Sequence, residues 1–289
     1  MQTNEQLLSV IENYLAQTEL PAEPELLYAP IGYSLSGGGK RLRPMLVMLS
    51  CGIFSDDALQ ALPAAAAVEM FHNFTLLHDD IMDNAAVRRG KPSVFARWGQ
   101  NVAILSGDAM MISSYRLLSG VPPRLLPQIL ATFNEMALEV CEGQQYDMDF
   151  ELKSKVSVVD YMHMIELKTS ALLSGAVAIG AMLGGASEED CRNILEGKKT
   201  YLMVTAMSRA DESTREVLRR TYRDERLTNA EKIAAVKRIY DRLDVRHLTE
   251  QQISLRFDRA LAVLGSLSVD PARTLRMREY AESLVDRKK

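Results

Sequence analysis

Apolar and polar residues follow one another along almost the whole chain with the spacing of amphipathic helices. Leu7, Leu8, Ile11, Tyr14 and Leu15 form the first apolar face, and the same spacing returns in later segments. The pattern predicts a second helix that ends near Leu35, helices over about 44–54, 55–83, 100–119 and 123–149, and helices that begin at Ser157, Ser187, Thr228 and Asp270. No alternation with a period of two persists over the length of a strand. The sequence therefore predicts an all-α fold, organised as one domain over residues 1–289.

Composition narrows the class of protein. Hydrophobic residues make up 47% of the 289 residues, which is enough for a sizeable buried core. The net charge of −4 and the pI near 5.7 argue against nucleic acid as the main partner. Three scattered cysteines indicate a reducing compartment, and the chain does not open with a signal-peptide pattern. We therefore expect a cytoplasmic protein.

One uncharged stretch, residues 169–187, approaches the length of a membrane span. It is rich in Gly, Ala and Ser, which is typical of helices that pack closely against other helices. We interpret it as a buried helix and expect no stable membrane insertion; a membrane span is the alternative.

Three aspartates, Asp79, Asp80 and Asp83, cluster where the helix predicted over 55–83 ends. Side chains four residues apart lie on one helical face, and Mg²⁺ binds one or two carboxylates together with substrate phosphates. Arg88 and Arg89 follow at once, and arginine forks match phosphate oxygens. Since an apolar segment leads into these residues, the combination favours a diphosphate joined to an apolar tail. A solvated helix end is the alternative that the aspartates alone leave open.

A second group of cations, Lys40 and Arg43, follows the glycines at 37–39. Glycines let a backbone approach an anion closely, although the spacing is not that of a P-loop. His72 lies two helical turns before Asp79 on nearly the same face, where it could donate to a phosphate. A glycine helix stop with a basic surface loop, and a histidine of the core, are the alternatives.

Lys168 and Thr169 lie inside an otherwise apolar helix, where an unpaired buried lysine would be costly. Lys168 either pairs with an acid, such as Asp83 or one near Glu166, or contacts a substrate anion, and we favour the anion. Lys198, in a basic segment before a further helix, is a weaker candidate when taken alone.

Taken together and in this order, these segments resemble the trans-isoprenyl diphosphate synthases, the short-chain polyprenyl synthetase family that includes farnesyl and geranylgeranyl diphosphate synthases. The resemblance rests on GGGKRLRP at 37–44, HDDIMDNAAVRRGKP at 78–92, GD at 107–108, EGQ at 142–144, LKT at 167–169 and EGKKTYL at 196–202. It implies a single large helical bundle of the isoprenoid synthase type with a central substrate cavity, and a homodimer. It also implies Mg²⁺-dependent head-to-tail condensation of isopentenyl diphosphate with an allylic diphosphate.

The resemblance also implies roles for single residues. Asp79 and Asp83 match aspartates that bind Mg²⁺, with Asp80 in a supporting role. The residues that match the isopentenyl diphosphate site are Lys40, Arg43, His72 and Arg89. Those that match the allylic diphosphate site are Arg88, Lys168, Thr169 and Lys198. Lys168 and Thr169 match a pair near the breaking C–O bond and join Asp79 and Asp83 as candidate catalytic residues.

One departure from the family pattern is large. The family carries a second aspartate-rich motif, FQxxDDxxD, between the LKT helix and the EGKKT segment, and no counterpart lies between Asn193 and Ile194 here. A true deletion would remove half of the metal site and cripple catalysis. The alternative, which we favour because both flanks keep the family pattern, is a natural protein that contains the segment which these 289 residues lack.

Product length is predicted from the helix before Asp79, along which the prenyl tail should extend. Phe74, five residues before Asp79, is the nearest large side chain, Thr75 is small, and Phe71 lies deeper. In the family this arrangement resembles geranylgeranyl more than farnesyl synthases, so that a C20 product is predicted, followed by C15. Phe74 as an ordinary core residue is the alternative.

Two other functions compete with the prenyltransferase. A catalytically impaired homologue that acts as a regulatory or binding subunit is supported by the missing second motif alone. A class I terpene cyclase shares the aspartate-rich metal site, but Lys40, Arg43 and Arg89 would hold a second diphosphate that a cyclase does not need.

Overall fold

The computed structural model describes residues 2–153, 156, 158–195, 257–258 and 260–285. The α-helices with assigned bounds are α1 (Asn4–Ala16), α2 (Glu25–Leu35), α3 (Leu42–Phe54), α4 (Leu62–Met82), α5 (Val94–Trp98), α6 (Gln100–Leu118), α7 (Leu126–Leu152), α8 (Val158–Ile165), α9 (Ala171–Gly184), α10 (Glu188–Leu195) and α11 (Pro271–Val285). A 3-10 helix (Ala58–Ala61) precedes α4, and a π-helix (Glu166–Ser170) joins α8 to α9. The predicted all-α fold class is confirmed.

The chain divides into two compact units. The first comprises Met1–Ala137, Leu172–Glu196 and Leu267–Lys289, and the second comprises Leu138–Ala171 and Gly197–Ser266. In the first unit, α4 is the central helix and packs against α1, α2, α3, α5 and α6. The aspartates predicted to bind metal are therefore carried by a helix that packs against five others of this unit.

The sequence of α4 explains its central place. Every residue from Ala64 to Phe71 is buried, so that the first half of the helix is enclosed on all sides. The alanine run 64–67 lets neighbouring helices approach, and larger side chains such as Met70 and Phe71 fill the core beyond it. Glu69, a carboxylate that is only 2% exposed, is the exception within this apolar stretch.

The small residues of α9 are explained in the same way. A Cβ at Gly180 would collide with the carbonyl oxygen of Val47 in α3, and the Ser50 hydroxyl donates to the carbonyl oxygen of Val177 at 2.7 Å. Among the described residues, His163–Gly184 is long and apolar enough to cross a membrane, yet 67% of its most apolar window is buried inside the protein. This burial agrees with a core helix packed tightly against its neighbours.

Local structure departs from the sequence prediction at three places. The segment 84–92, predicted as a plain loop, contains a two-stranded antiparallel hairpin of β1 (Val87–Arg88) and β2 (Lys91–Pro92). The long helix predicted from Ser157 onward is interrupted by the π-helix. Ser55 ends α3, and Asp57 instead caps the 3-10 helix by accepting from the N–H of Leu59 at 3.0 Å.

Candidate active site

The three aspartates lie at the carboxyl end of α4. Asp79 is half-buried, Asp80 is only 3% exposed, and Asp83 is the exposed C-cap residue whose N–H donates to the carbonyl oxygen of Asp79 at 2.9 Å. A helix carboxyl end carries partial negative charge from its unpaired carbonyls. The carboxylates add to that charge, and this end of α4 therefore attracts cations.

The hairpin places two arginines beside different parts of the first unit. Arg89 and Gly90 form its two-residue turn, and their φ angles of 52° and 76° are those of the tight turns that suit hairpins. Arg88 donates from Nε and Nη2 to Asp80 Oδ1 at 2.8 and 2.5 Å, and its Nη2 lies 3.6 Å from Asp79 Oδ2. Burial raises the pKa of the Asp80 carboxyl, while Arg88 opposes that rise. Asp80 thus holds Arg88 beside the aspartate face.

Arg89 instead lies against the glycine loop. Its Nη1 donates to the carbonyl oxygen of Gly38, and a Cβ at Gly39 would lie 3.0 Å from the same nitrogen. Gly38 and Gly39 both have positive φ angles, 72° and 141°, which residues with side chains rarely adopt. The glycines therefore shape the loop and leave room for the guanidinium, while the next residue, Lys40, is exposed.

Arg43 and His72 form a pair of contacting side chains in the same unit as the glycine loop. Arg43 Nη1 lies 3.0 Å from His72 Nε2. Burial, together with the nearby Arg43, Arg89, Arg88 and Arg41, lowers the pKa of His72 to about 2. The imidazole is therefore neutral, and its Nε2 accepts from Arg43, while contact of His72 with a phosphate stays a prediction. His72 orients Arg43 in this arrangement, a role that the sequence analysis did not consider.

The lowered pKa of His72 makes the stability of the fold depend on pH. Below pH 6.5, the ordinary value for histidine, the unfolded chain takes up a proton that the folded chain refuses until about pH 2. This part of the stability is complete above pH 6.5 and is lost as the pH falls. Between roughly pH 7 and pH 5, the free energy of unfolding should fall by about 1–2 kcal/mol more in the wild type than in His72→Gln. Urea unfolding at both pH values measures this difference. An equal loss in both proteins would contradict the assignment.

Lys168 lies in the second unit, on the π-helix. Its Nζ forms an ion pair with Asp147 Oδ2 at 2.6 Å, and its side chain is 24% exposed. Of the two alternatives that the sequence left open, pairing with an acid is present, and the partner is Asp147 of α7 instead of Asp83 or an acid near Glu166. Contact with a substrate anion stays a prediction.

The π-helix has a close neighbour in α7. A Cβ at Gly143 would collide with the backbone nitrogen of Lys168, so that glycine is required where the two segments meet. Single π turns within α-helices are often found at functional sites. Thr169, half-buried, lies in the same turn.

Three predicted features remain without a structural account. Lys198 and the helix predicted to begin at Thr228 lie outside the described residues. The position of the missing second aspartate-rich motif, between Asn193 and Ile194, falls within α10, and the backbone of that helix runs through it without a break.

The possible metal ligands of the first unit can be compared with the ligands that Mg²⁺ usually binds in proteins. Within the described ranges, no three His, Cys, Asp or Glu side chains are grouped so that they could hold a metal ion. Asp79 and Asp83 nevertheless lie one turn apart, and Mg²⁺ takes one or two carboxylates and completes its shell with water and substrate phosphates. These residues fit a magnesium site that a bound diphosphate completes.

The aromatic residues before Asp79 form a continuous stack. Phe71 contacts Phe74 and Phe133, with ring centroids 5.4 and 5.3 Å apart, and Phe74 contacts His78 at 4.7 Å. Phe74 is 9% exposed, whereas Phe71 is 2% exposed. The stack lies along α4 below the aspartates, where the sequence analysis placed the end of the prenyl tail.

The fold and site define an all-α protein with an aspartate-rich helix end next to a cluster of arginines. Residues 24–196 match the family model "Polyprenyl synthetase". The chain is 33% identical over 231 residues to the short chain isoprenyl diphosphate synthase of Methanothermobacter thermautotrophicus, covering 68% of this chain and 71% of that protein. This protein therefore belongs to the polyprenyl synthetase family.

Two further relatives are informative. The geranylgeranyl diphosphate synthase of Methanosarcina mazei is 46% identical over 169 residues, 57% of this chain and 52% of that protein. A crystal structure of geranylgeranyl pyrophosphate synthase aligns over 100% of both chains with a TM-score of 0.91 and 34% identity. The chain spans about half the length of the first curated relatives that it matches, 52% and 53%.

Proposed function

We propose that this chain is a trans-prenyltransferase of the geranylgeranyl or farnesyl diphosphate synthase type, which condenses isopentenyl diphosphate with an allylic diphosphate in the presence of Mg²⁺. One observation carries the proposal: adjacent arginines of a single hairpin lie against two different parts of the first unit. Arg88 lies on the aspartate face of α4, and Arg89 lies on the glycine loop. A chain that binds one diphosphate has no need for both.

Each of the two sites binds one of the two substrates. On the glycine-loop side, Lys40, Arg43 and Arg89 bind isopentenyl diphosphate, while the neutral His72 orients Arg43. On the aspartate side, Asp79 and Asp83 hold Mg²⁺, and Arg88 binds the allylic diphosphate. Lys168, Thr169 and Lys198 are proposed as further ligands of the allylic diphosphate because they match the family motifs. Arginine forks are suited to both sites because they match phosphate oxygens in pairs.

The condensation follows from this arrangement. The allylic C–O bond breaks, and its electron pair leaves with the pyrophosphate. The double bond of isopentenyl diphosphate attacks the allylic carbon, a C–C bond forms, and the released pyrophosphate takes the proton that is lost. Because negative charge gathers on the leaving group, fixed cations such as Arg88 and Lys168 stabilise the transition state more than the ground state. Mg²⁺ supplies further charge stabilisation at the phosphate oxygens when it is bound.

The proposed main product is the C20 geranylgeranyl diphosphate, and the C15 farnesyl diphosphate is the second candidate. Support comes from Phe74, whose ring stacks on Phe71 below the aspartates, and from the small Thr75 beside it. Several relatives carry the name geranylgeranyl diphosphate synthase, among them those of Methanosarcina mazei and Sulfolobus acidocaldarius.

Replacing Phe74 by Ala tests the role of this ring as the floor for the growing chain. We expect Phe74→Ala to lengthen the main product by at least one five-carbon unit, because removal of the ring opens space for the prenyl tail along the helix. Each residue of the helix corresponds to about 1.5 Å of that space. Product length is measured by mass spectrometry after incubation with Mg²⁺ and both diphosphates. Phe133→Leu, which changes the far side of the stack, is the matched control. An unchanged product from Phe74→Ala would show that Phe74 is a core residue only.

Chain growth is the experiment that tests the proposed function. The full chain is incubated with Mg²⁺, isotopically labelled isopentenyl diphosphate and, in turn, dimethylallyl, geranyl or farnesyl diphosphate. Extension of any starter supports the prenyltransferase. Saturable binding of both diphosphates without extension would favour the catalytically impaired homologue that acts as a regulatory or binding subunit, for which the missing second motif is the supporting observation.

We further propose a cytoplasmic homodimer without membrane insertion. Leu105 and Ile112 lie seven residues apart on α6 and are 60% and 59% exposed, which is unusual for apolar side chains in one row. A second copy of the chain would cover this row. Light scattering should give about twice the chain mass of 32.3 kDa, whereas the mass of one chain would contradict the dimer.

A further inference from the structure

A buried ion pair lies behind the glycine loop, between the start of α3 and the middle of α4. Arg41 Nη1 donates to Glu69 Oε1 at 2.7 Å, and the two side chains are 6% and 3% exposed. Removing two charges from water is expensive, and an ion pair recovers that cost only when further hydrogen bonds complete it. The family motifs quoted above contain Arg41 but assign it no role, and they do not contain Glu69.

Further hydrogen bonds join this pair to the end of α2. Arg41 Nη2 donates to the carbonyl oxygen of Leu35 at 2.6 Å. Asn73 Nδ2 donates to the Glu69 carbonyl oxygen at 2.8 Å and to Oε1 at 3.2 Å, and the Ser34 hydroxyl donates to Asn73 Oδ1 at 3.4 Å. Both flanks of the glycine loop are therefore tied to the same face of α4.

The backbone of Arg41 gives a second reason for the pair. Arg41 is the N-cap of α3 and has a left-handed conformation, with φ of 46° and ψ of 35°. Residues with a Cβ rarely adopt this region, because the side chain crowds the backbone there. The side-chain hydrogen bonds to Glu69 and Leu35 hold Arg41 in this left-handed conformation. Lys40 and Arg43 lie before and after Arg41 in the chain, so that its conformation affects the placement of both.

The charge of Glu69 reaches the cations that are proposed to bind isopentenyl diphosphate. Burial lowers the pKa values of Arg43 and Arg89, and the negative charge of Glu69 opposes that lowering. Arg41, Arg43, Arg88 and Arg89 all lie near His72, whose pKa each of them lowers. The buried carboxylate of Glu69 therefore offsets part of the electrostatic repulsion among these arginines when no anion is bound.

We propose that Arg41 and Glu69 are positioning residues for the isopentenyl diphosphate site: their buried pair holds the glycine loop and sets Lys40, Arg43 and Arg89 in the arrangement that receives a diphosphate. The proposal rests on the proposed function, because it concerns the same site. Neither residue contacts the substrate. Their effect is on the affinity for isopentenyl diphosphate and not on the allylic side, where Asp80 holds Arg88.

Replacement of both partners separates positioning from stability. When a buried ion pair is exchanged for apolar residues of similar volume, stability is often retained or improved, whereas loss of one partner leaves a costly unpaired charge. We expect Arg41→Met/Glu69→Met to unfold near the wild-type temperature. Its Kd for isopentenyl diphosphate should nevertheless rise about tenfold or more, since a loosened site loses part of its charge-assisted hydrogen bonding.

The experiment is calorimetric titration of the full chain with isopentenyl diphosphate, and separately with geranyl diphosphate and Mg²⁺. Glu69→Gln, which keeps the shape of the side chain, is the second variant should the double variant fail to fold. It is expected to weaken isopentenyl diphosphate binding in the same direction. Asp56→Asn/Arg273→Gln removes an exposed ion pair of 2.8 Å in the same unit and is the matched control. Wild-type affinity for isopentenyl diphosphate in either folded Glu69 variant, or equal weakening for both substrates, would overturn the proposal.

Arg43→Met distinguishes this failure from failure of the proposed function. If the wild type does not bind isopentenyl diphosphate, or if Arg43→Met binds it equally well, the proposed site itself is wrong. If Arg43→Met weakens binding while the Glu69 variants bind as the wild type does, the site stands and the positioning role alone is rejected.

Discussion

Replacing Asp79 and Asp83 together by Asn is expected to abolish chain growth and to weaken Mg²⁺-dependent binding of geranyl diphosphate by about 100-fold or more. The two carboxylates lie one turn apart at the negatively charged end of α4, and asparagine keeps their size while it removes the charge that attracts Mg²⁺. Binding is measured by calorimetric titration with and without Mg²⁺, and growth by label transfer from isopentenyl diphosphate.

The design of this experiment separates metal binding from folding. Glu135→Gln, an exposed acid on α7 in the same unit, removes a charge elsewhere and should change neither measurement. Affinity for isopentenyl diphosphate without Mg²⁺ should also be kept in Asp79→Asn/Asp83→Asn, because Lys40, Arg43 and Arg89 are untouched. If geranyl diphosphate still bound with the same dependence on Mg²⁺, the metal would have to be held elsewhere.

The second large effect concerns the missing aspartate-rich motif. We expect a chain with an FQxxDDxxD segment inserted between Asn193 and Ile194 to form product at least about 10³-fold faster than the 289-residue chain. The reason is that loss of preorganised charge stabilisation at a developing anion costs roughly 10² to 10³ for one group, and the motif supplies several. Initial rates of product formation compare the two proteins.

The matched control carries an insertion of equal length in which the aspartates are asparagines. It restores helix and loop but not charge, and its rate should stay at the level of the 289-residue chain. Equal rates with and without the aspartates would mean that the first motif suffices. The mass of the intact natural protein decides between the two origins of the gap: a value near 32.3 kDa establishes a true deletion, and a larger one supports a chain that contains the segment.

The helices and the main site residues could be predicted because they follow from local patterns. Helical periodicity gave the bounds of α3 and α6 to within two residues and the end of α4 to within one. The predicted start of α4 was seven residues too early, because a separate 3-10 helix precedes it. The spacing of Asp79 and Asp83 placed two carboxylates on one face, and the Ser187 cap was confirmed by its bond from the N–H of Asp190 at 3.1 Å. These features depend on neighbours within one or two turns.

The features that sequence analysis missed depend on distant partners. The hairpin strands are two residues long, too short for any alternation to show, although a pair such as Arg89-Gly90 is compatible with a turn of positive φ angles. The π-helix and the pairing of Lys168 with Asp147 need α7 beside the LKT segment. Glu69 did carry a signal, since an acid within eight consecutive buried residues requires a partner. The identity of that partner, Arg41, 28 residues away, did not follow from the pattern.

We propose that one surface holds two diphosphates, with the glycine loop on one side and the aspartate face on the other. A crystal structure of the full chain with Mg²⁺, isopentenyl diphosphate and a non-cleavable allylic thiolodiphosphate tests it most directly. We expect Lys40, Arg43 and Arg89 within hydrogen-bond distance of one diphosphate, and Asp79 and Asp83 on Mg²⁺ beside the other. Side chains of both groups turned away from every phosphorus atom would contradict it.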